Sequence, residues 1–185
     1  MNVPVSARQI LRAATAPDHA RVDTAFSGFE LGVRGSYTAF LRAQAAALLP
    51  VEAAIDACPD LPVTDWPERQ RGDALRADLA ELGAALPAPL SAPELIGAAQ
   101  VLGALYVLEG ARLGGKLLVR SVPDTLPRRF LGARQDAEKW RGLIQILDRA
   151  LVTERQRATA TDTARRIFAM FEESAMRHGR TSCFE

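Results

Sequence analysis

Cysteine, lysine and histidine occur only twice each in this chain. Cys58 and Cys183 lie far apart and make no metal-ligand spacing, which argues against a zinc ribbon or a dithiol redox pair and leaves buried or incidental thiols. Lys116 and Lys139 are the only lysines among 23 basic residues; the rest are arginines, which suit carboxylate partners. Net charge is only +1, so no global field recruits nucleic acid or an anionic membrane, and neither is expected as a partner. No apolar run reaches the length of a bilayer span, and no charged start followed by an apolar segment reads as a signal peptide, so the cytoplasm is the expected location. Strand-like alternation is missing, as is any internal repeat. No G-x-G-x-x-G follows a strand, so the chain carries no flavin or dinucleotide signature and any electrons must come from outside.

What remains is alanine, leucine, arginine and glutamate in helical periodicity. With 185 residues, 48% of them hydrophobic and 24% charged, the chain reads as an all-α, single domain spanning residues 1–185. Ser6 caps a first helix, with Pro17 either kinking it or starting a second one. Ser36 is placed to cap the next helix, which Pro50 bends. A loop rich in proline and aspartate follows, and Thr64 or Asp65 then caps a helix with a Leu75, Leu79, Leu82 and Leu86 stripe. Ser91 and Glu94 make a capping box, with Pro93 in the first turn, for a long central helix that Pro123 and Pro127 end. Two more helices follow, one with a Trp140, Leu143, Ile144 and Leu147 stripe, the other burying Ala164, Ile167, Phe168 and Phe171. The tail after His178 is expected to fray, with His178 itself solvated.

The chain is organised around the central helix, LGALYVLEGARLGGKLLV over residues 102–119. It is apolar all round in its first half, the mark of a buried helix. It then carries Gly110, Gly114 and Gly115, each costing about 1 kcal/mol relative to alanine. Two explanations compete: a flat, bulky group lying against the backbone, or close packing against another helix. The first helix supplies a second feature. His19, Val22, Asp23 and Phe26 share one face, and a carboxylate one turn after a histidine can orient its imidazole and fix the tautomer a metal ligand needs. An iron porphyrin requires this pairing: an imidazole on one side, an open face on the other, and arginines such as Arg8 or Arg141 for its two propionates.

These residues resemble the heme oxygenase family. LRAATAPDHARVD is similar to its N-terminal pattern, in which leucine, arginine, threonine and histidine lead into an acidic residue four positions later. LYVLEGARLGGKLL is similar to the distal-helix signature of its bacterial, biliverdin-forming members, and helix order, length and the closing WRGLIQILDRAL…ARRIFAMFEE agree. The resemblance implies a heme oxygenase-like helical bundle in which His19 ligates the heme iron and Asp23, usually glutamate in the family, orients it. It implies Gly110 and Gly114 over the heme with Gly115 beside them, Arg141 near a propionate and Phe168 as a pocket aromatic. The implied reaction opens heme, at once substrate and source of the reactive iron, to biliverdin, iron and carbon monoxide. It uses oxygen and electrons from a ferredoxin or reductase, and its product is of the kind a phytochrome-type photoreceptor takes as chromophore. At the catalytic position after the first glycine, well-studied members carry an aspartate that orders the proton-delivering water. This chain has Ala111, which offers no hydrogen bond, so proton delivery falls to water held by other polar groups. Two alternatives stand beside an oxygenase: a heme- or tetrapyrrole-binding or sensing protein of the same fold, and a helical interaction module without cofactor.

Overall fold

The computed structural model describes residues 6–133 and 137–179, without the Lys116 side chain; the tail beyond Gly179, with Cys183, lies outside the described residues. The described residues form α-helices and one short 3₁₀ turn, with no strand among them. The all-α reading therefore holds.

Helix α1 (Ala7–Phe26) starts at Ser6 through a reciprocal capping box with Gln9, and Asp148 reaches from a later helix to accept the Ala7 N–H at 2.7 Å. Pro17 lies inside this one continuous helix and does not open a second. Helix α2 (Arg34–Asp56) starts before the expected Ser36 cap. Its N-cap residue is Val33, and the Ser36 hydroxyl instead accepts the Glu30 N–H at 2.7 Å, tightening the preceding turn. By length and hydropathy α2 could cross a bilayer, which corrects the expectation that no run is long enough; its apolar residues are nevertheless spent in the core.

The long helix expected after Asp65 is broken. Asp65 caps nothing with its side chain and pairs with Arg69 Nε at 2.7 Å. A short α3 (Trp66–Arg69) gives way to α4 (Gly72–Glu81), whose first N–H groups are satisfied from another helix: buried Glu52 of α2 accepts from Arg71 N at 2.7 Å and Gly72 N at 3.0 Å. A Cβ at Gly72 would lie 2.7 Å from that carboxylate, so a side chain there would have to push Glu52 off the N–H groups it accepts from. Gly83, at φ +68°, ends α4 in a Schellman motif, with Gly83 N donating to Ala80 O and Ala84 N to Leu79 O. Leu86 falls beyond that stop and is exposed, whereas Leu75, Leu79 and Leu82 are buried as expected.

The Ser91–Glu94 capping box does not form. Leu90 is pinned to α2 by its N–H on Ala46 O at 2.9 Å, and α5 (Ala98–Leu118) begins only after Gly97, at φ +76°. A 3₁₀ turn (Val119–Ser121) extends α5 just short of Pro123. Buried Asp78 then caps the short α6 (Arg129–Gly132), accepting from Phe130 N at 2.9 Å. Helix α7 (Ala137–Ala150) buries Leu143 and Leu147.

The last helix, α8 (Glu154–Gly179), rather than α5, is the hub: it packs along α1, α2 and α5 together. Small residues make that possible. Ala43, Ala45, Ala46 and Ala47 of α2 and Ala160, Ala164 and Ala175 of α8 are all buried, and Ser174 Oγ donates to Ala43 O at 2.6 Å across the α2–α8 seam. At the α5–α8 crossing a Cβ on Gly103 would collide with the Ala160 carbonyl. His178, expected to be solvated, is half-buried with Nδ1 2.9 Å from Ser174 O.

Candidate functional site

Helices α1 and α5 diverge to leave a cavity of about 590 Å³, within the range of small-molecule and cofactor sites. From α1 it receives Arg8, Arg12, Thr15, His19, Val22 and Phe26, residues three or four apart that form one continuous helical face. From α5 it receives Tyr106, Gly110, Ala111, Leu113, Gly114 and Leu118 on the same periodicity. Aromatic side chains close the ends: Phe40 from α2, Trp140 from α7, and Phe168 and Phe171 from α8.

His19 stands on the α1 wall with its ring edge-on to Phe168, centroids 5.7 Å apart. Its Nδ1 lies 2.9 Å from Asp23 Oδ2, and the two side chains are 59% and 68% exposed. With Nδ1–H donating to that carboxylate, the Nε2 lone pair is left free on the opposite edge of the ring, as an iron ligand requires. The Asp23 contact is local, i to i+4, so α1 fixes it without help from the rest of the fold.

The glycines of α5 resolve into two kinds. A Cβ at Gly110 or Gly114 would meet nothing within 4 Å, so no neighbouring helix demands glycine there. At Gly103 the Ala160 backbone demands it, and at Gly115 a Cβ would touch Leu131 O at 3.5 Å. Helix packing thus accounts for Gly103 and contributes at Gly115, while Gly110 and Gly114 face open space inside the cavity. Gly115 points away from the site that the sequence assigned to it, toward α6. Leu113 and Leu118, which line the cavity, are exposed apolar residues of the kind a bound group would cover.

The expected basic residue is also redistributed. Arg141 is 68% exposed, outside the cavity lining, and pairs with Glu138 at 4.0 Å. Its helix position turns it to solvent, because Trp140, one residue earlier, takes the inward place. Arg8 and Arg12 do line the cavity, and Arg8 lies over the Trp140 ring at 5.8 Å. Arg12 was contained in the N-terminal pattern without a role; its spacing from Arg8 and His19 on one face was the signal for it. Ala111 lines the cavity, whereas Glu109 and Arg112 are buried on other faces of α5 among Arg69 and α3, as helical spacing requires. Gln44 of α2, not anticipated from sequence, brings a side-chain amide to the cavity.

No family model matches the chain. A protein of Xanthomonas campestris named heme oxygenase is 35% identical over 112 residues, covering 57% of this chain and 67% of its own. Heme oxygenase PigA of Pseudomonas aeruginosa is 34% identical over 112 residues, 56% of this chain and 57% of its own. In fold, the NO- and CO-bound heme oxygenase of Neisseria meningitidis superposes with a TM-score of 0.80 at 22% identity, over 98% of this chain and 96% of that one. The heme oxygenase of Leptospira interrogans gives 0.72 at 18% identity, over 94% and 100%. On relatedness in sequence across two thirds of the Xanthomonas protein, together with this all-helical architecture, the chain belongs to the heme oxygenase family.

Proposed function

We propose that the protein binds heme as substrate in the α1–α5 cavity and opens it oxidatively to biliverdin, iron and carbon monoxide. One observation carries this: His19, backed by Asp23, opens onto a cavity whose α5 wall includes two glycines that no protein neighbour requires. The residues present fit the group. The Nε2 edge of His19 is the iron ligand, and the apolar walls of Val22, Phe26, Leu113 and Phe168 take the macrocycle. Arg8 and Arg12 are the nearest cations for its propionates. Gly110 and Gly114 let the ring approach the α5 backbone and keep space above it for oxygen. Bound heme supplies the iron chemistry; the chain supplies orientation, exclusion of bulk water and the path for protons. Electrons come from an external ferredoxin or reductase, and the reading places the protein in the cytoplasm, where that donor and any biliverdin-using photoreceptor are found.

Ala111 adds no polar atom to that path, so beside the charged and imidazole groups already described the cavity wall offers the Thr15 and Tyr106 hydroxyls and the Gln44 amide. The Thr15 hydroxyl donates to Leu11 O at 2.8 Å and can still accept from water, while Gln44 and Tyr106 can both donate and accept, so these three are the anchors for ordered water. Ala111 is also the observation that favours the second reading, a heme-binding or sensing protein that does not degrade its ligand.

The deciding experiment mixes the purified protein with hemin, records the Soret band, and then adds ascorbate or a ferredoxin system in air with catalase present. Loss of the Soret band with formation of biliverdin and carbon monoxide is expected; a stable Soret complex under reduction selects the sensing reading. No Soret shift at all removes both. Ala111→Asp should speed turnover where a missing proton relay is limiting, and an unchanged or slower rate counts against that idea.

A further inference from the structure

On the far side of α5 from His19, Arg112 faces a second concavity of about 430 Å³. Its other walls are Glu68, Gln70, Arg71 and Ala74, from α3, α4 and their junction, Ala133 after α6, and Lys139 of α7. Among the described residues, three cations and one carboxylate line it. The carboxylate, Glu68, is 69% exposed and pairs with Lys139 at 2.5 Å, an exposed contact of little strength. The Gln70 amide is held by Asp56 at 2.8 Å.

Arg71 and Arg112 are each only 6% exposed. A buried guanidinium is costly unless its donors are matched, and here the described residues match them only in part. Arg112 donates to the Arg69 carbonyl, but among the described residues the carboxylate oxygen it pairs with, on Glu109, is 3.8 Å away, and its Nε is buried without a hydrogen-bond partner among them. Arg71 gives one N–H to Leu108 O at 3.2 Å and lies over the Phe130 ring at 4.8 Å. Among the described residues, the neighbouring acids are shared with other donors. Glu52 accepts the Arg71 and Gly72 backbone N–H groups, Asp65 takes Arg69, and Glu109 is shared with Arg69 at 3.5 Å. Burial and the charge of Arg112 pull the Arg71 pKa down to about 10, against the opposing pull of Glu52 and Glu109. Arg71 therefore stays protonated at neutral pH beside a second buried cation.

We propose that this concavity is a binding site for a small molecule bearing an oxyanion, phosphate or carboxylate, held by Arg112, Arg71 and Lys139. The planar donor fork of arginine matches either group, and the volume exceeds what a bare ion needs. The site shares no residue with the His19 cavity and does not depend on heme chemistry.

Calorimetric titration of the heme-free protein with inorganic phosphate, and separately with citrate, at constant ionic strength in chloride tests it. At least one anion binds saturably at one site per chain, and the tighter of the two identifies the phosphate or carboxylate class. Arg112→Met weakens that binding at least about tenfold. Should Arg112→Met fail to fold, Lys139→Glu on the rim decides by the same criterion. No saturable binding of either anion, or undiminished affinity in the deciding variant, overturns the proposal.

Discussion

Single residues carry the distinction between scaffold and site, and the α5 glycines show how. Gly110→Ala and Gly114→Ala place a methyl group in open space and remove a helix-interior glycine, so each should stabilise the heme-free protein by about 0.5–1 kcal/mol. Each should also weaken hemin binding by intruding on the ring. Gly103→Ala should instead destabilise, because the Ala160 backbone cannot step aside. Urea denaturation of the heme-free variants beside a Soret titration separates the effects; equal losses of stability at Gly103 and Gly110 would return Gly110 to a packing role. In sequence the glycines look alike. Periodicity located the His19–Asp23 face and much of the α5 face, since those depend on one helix each. It carries no information on where Gly115 and Arg141 face, because which helix covers each face is decided by α6 and by Trp140.

Among elements, α1 is the helix whose start the sequence read correctly, because its Ser6–Gln9 box is local. The α3–α4 break and the α6 start escaped because their caps, Glu52 and Asp78, come from distant helices, which no local pattern contains. That arrangement makes Glu52 a test of the element. Glu52→Ala leaves two buried N–H groups unpaired and should cost about 2–4 kcal/mol by urea denaturation. Burial raises the Glu52 pKa, with the Arg71 and Gly72 N–H bonds pulling the other way. The folded protein thus holds a proton at Glu52 to higher pH than the unfolded chain, whose glutamates titrate near about 4.3. Native protons exceed unfolded ones in the window between, so the stabilising effect present below it is lost as pH rises through the folded pKa. The stability difference between wild type and Glu52→Gln should fall with pH across that window; a flat difference would mean that Glu52 titrates as an ordinary glutamate.

At the scale of the whole molecule, the all-helical fold and the order of helices were legible. The hub was not: hydrophobic periodicity reports which face of α8 is buried but not that three helices share it. Packed this way, α1 and α5 are each secured to α8 yet separated from one another at the cavity, where Leu113 and Leu118 remain exposed. A ligand bridging the two walls binds only the folded state and must therefore stabilise it. At one hundred times its dissociation constant that amounts to about 2.7 kcal/mol. For a chain of this size each kcal/mol moves the midpoint by about 2–4 °C, so saturating hemin should raise it by roughly 5–10 °C. Differential scanning calorimetry of wild type and His19→Ala with hemin and with iron-free protoporphyrin apportions that rise. Iron ligation predicts that His19→Ala lowers the hemin shift toward the protoporphyrin value while leaving the protoporphyrin shift itself in place. Equal hemin shifts in the two proteins would mean that the cavity holds the ring by its apolar walls alone, and that His19 is not the iron ligand.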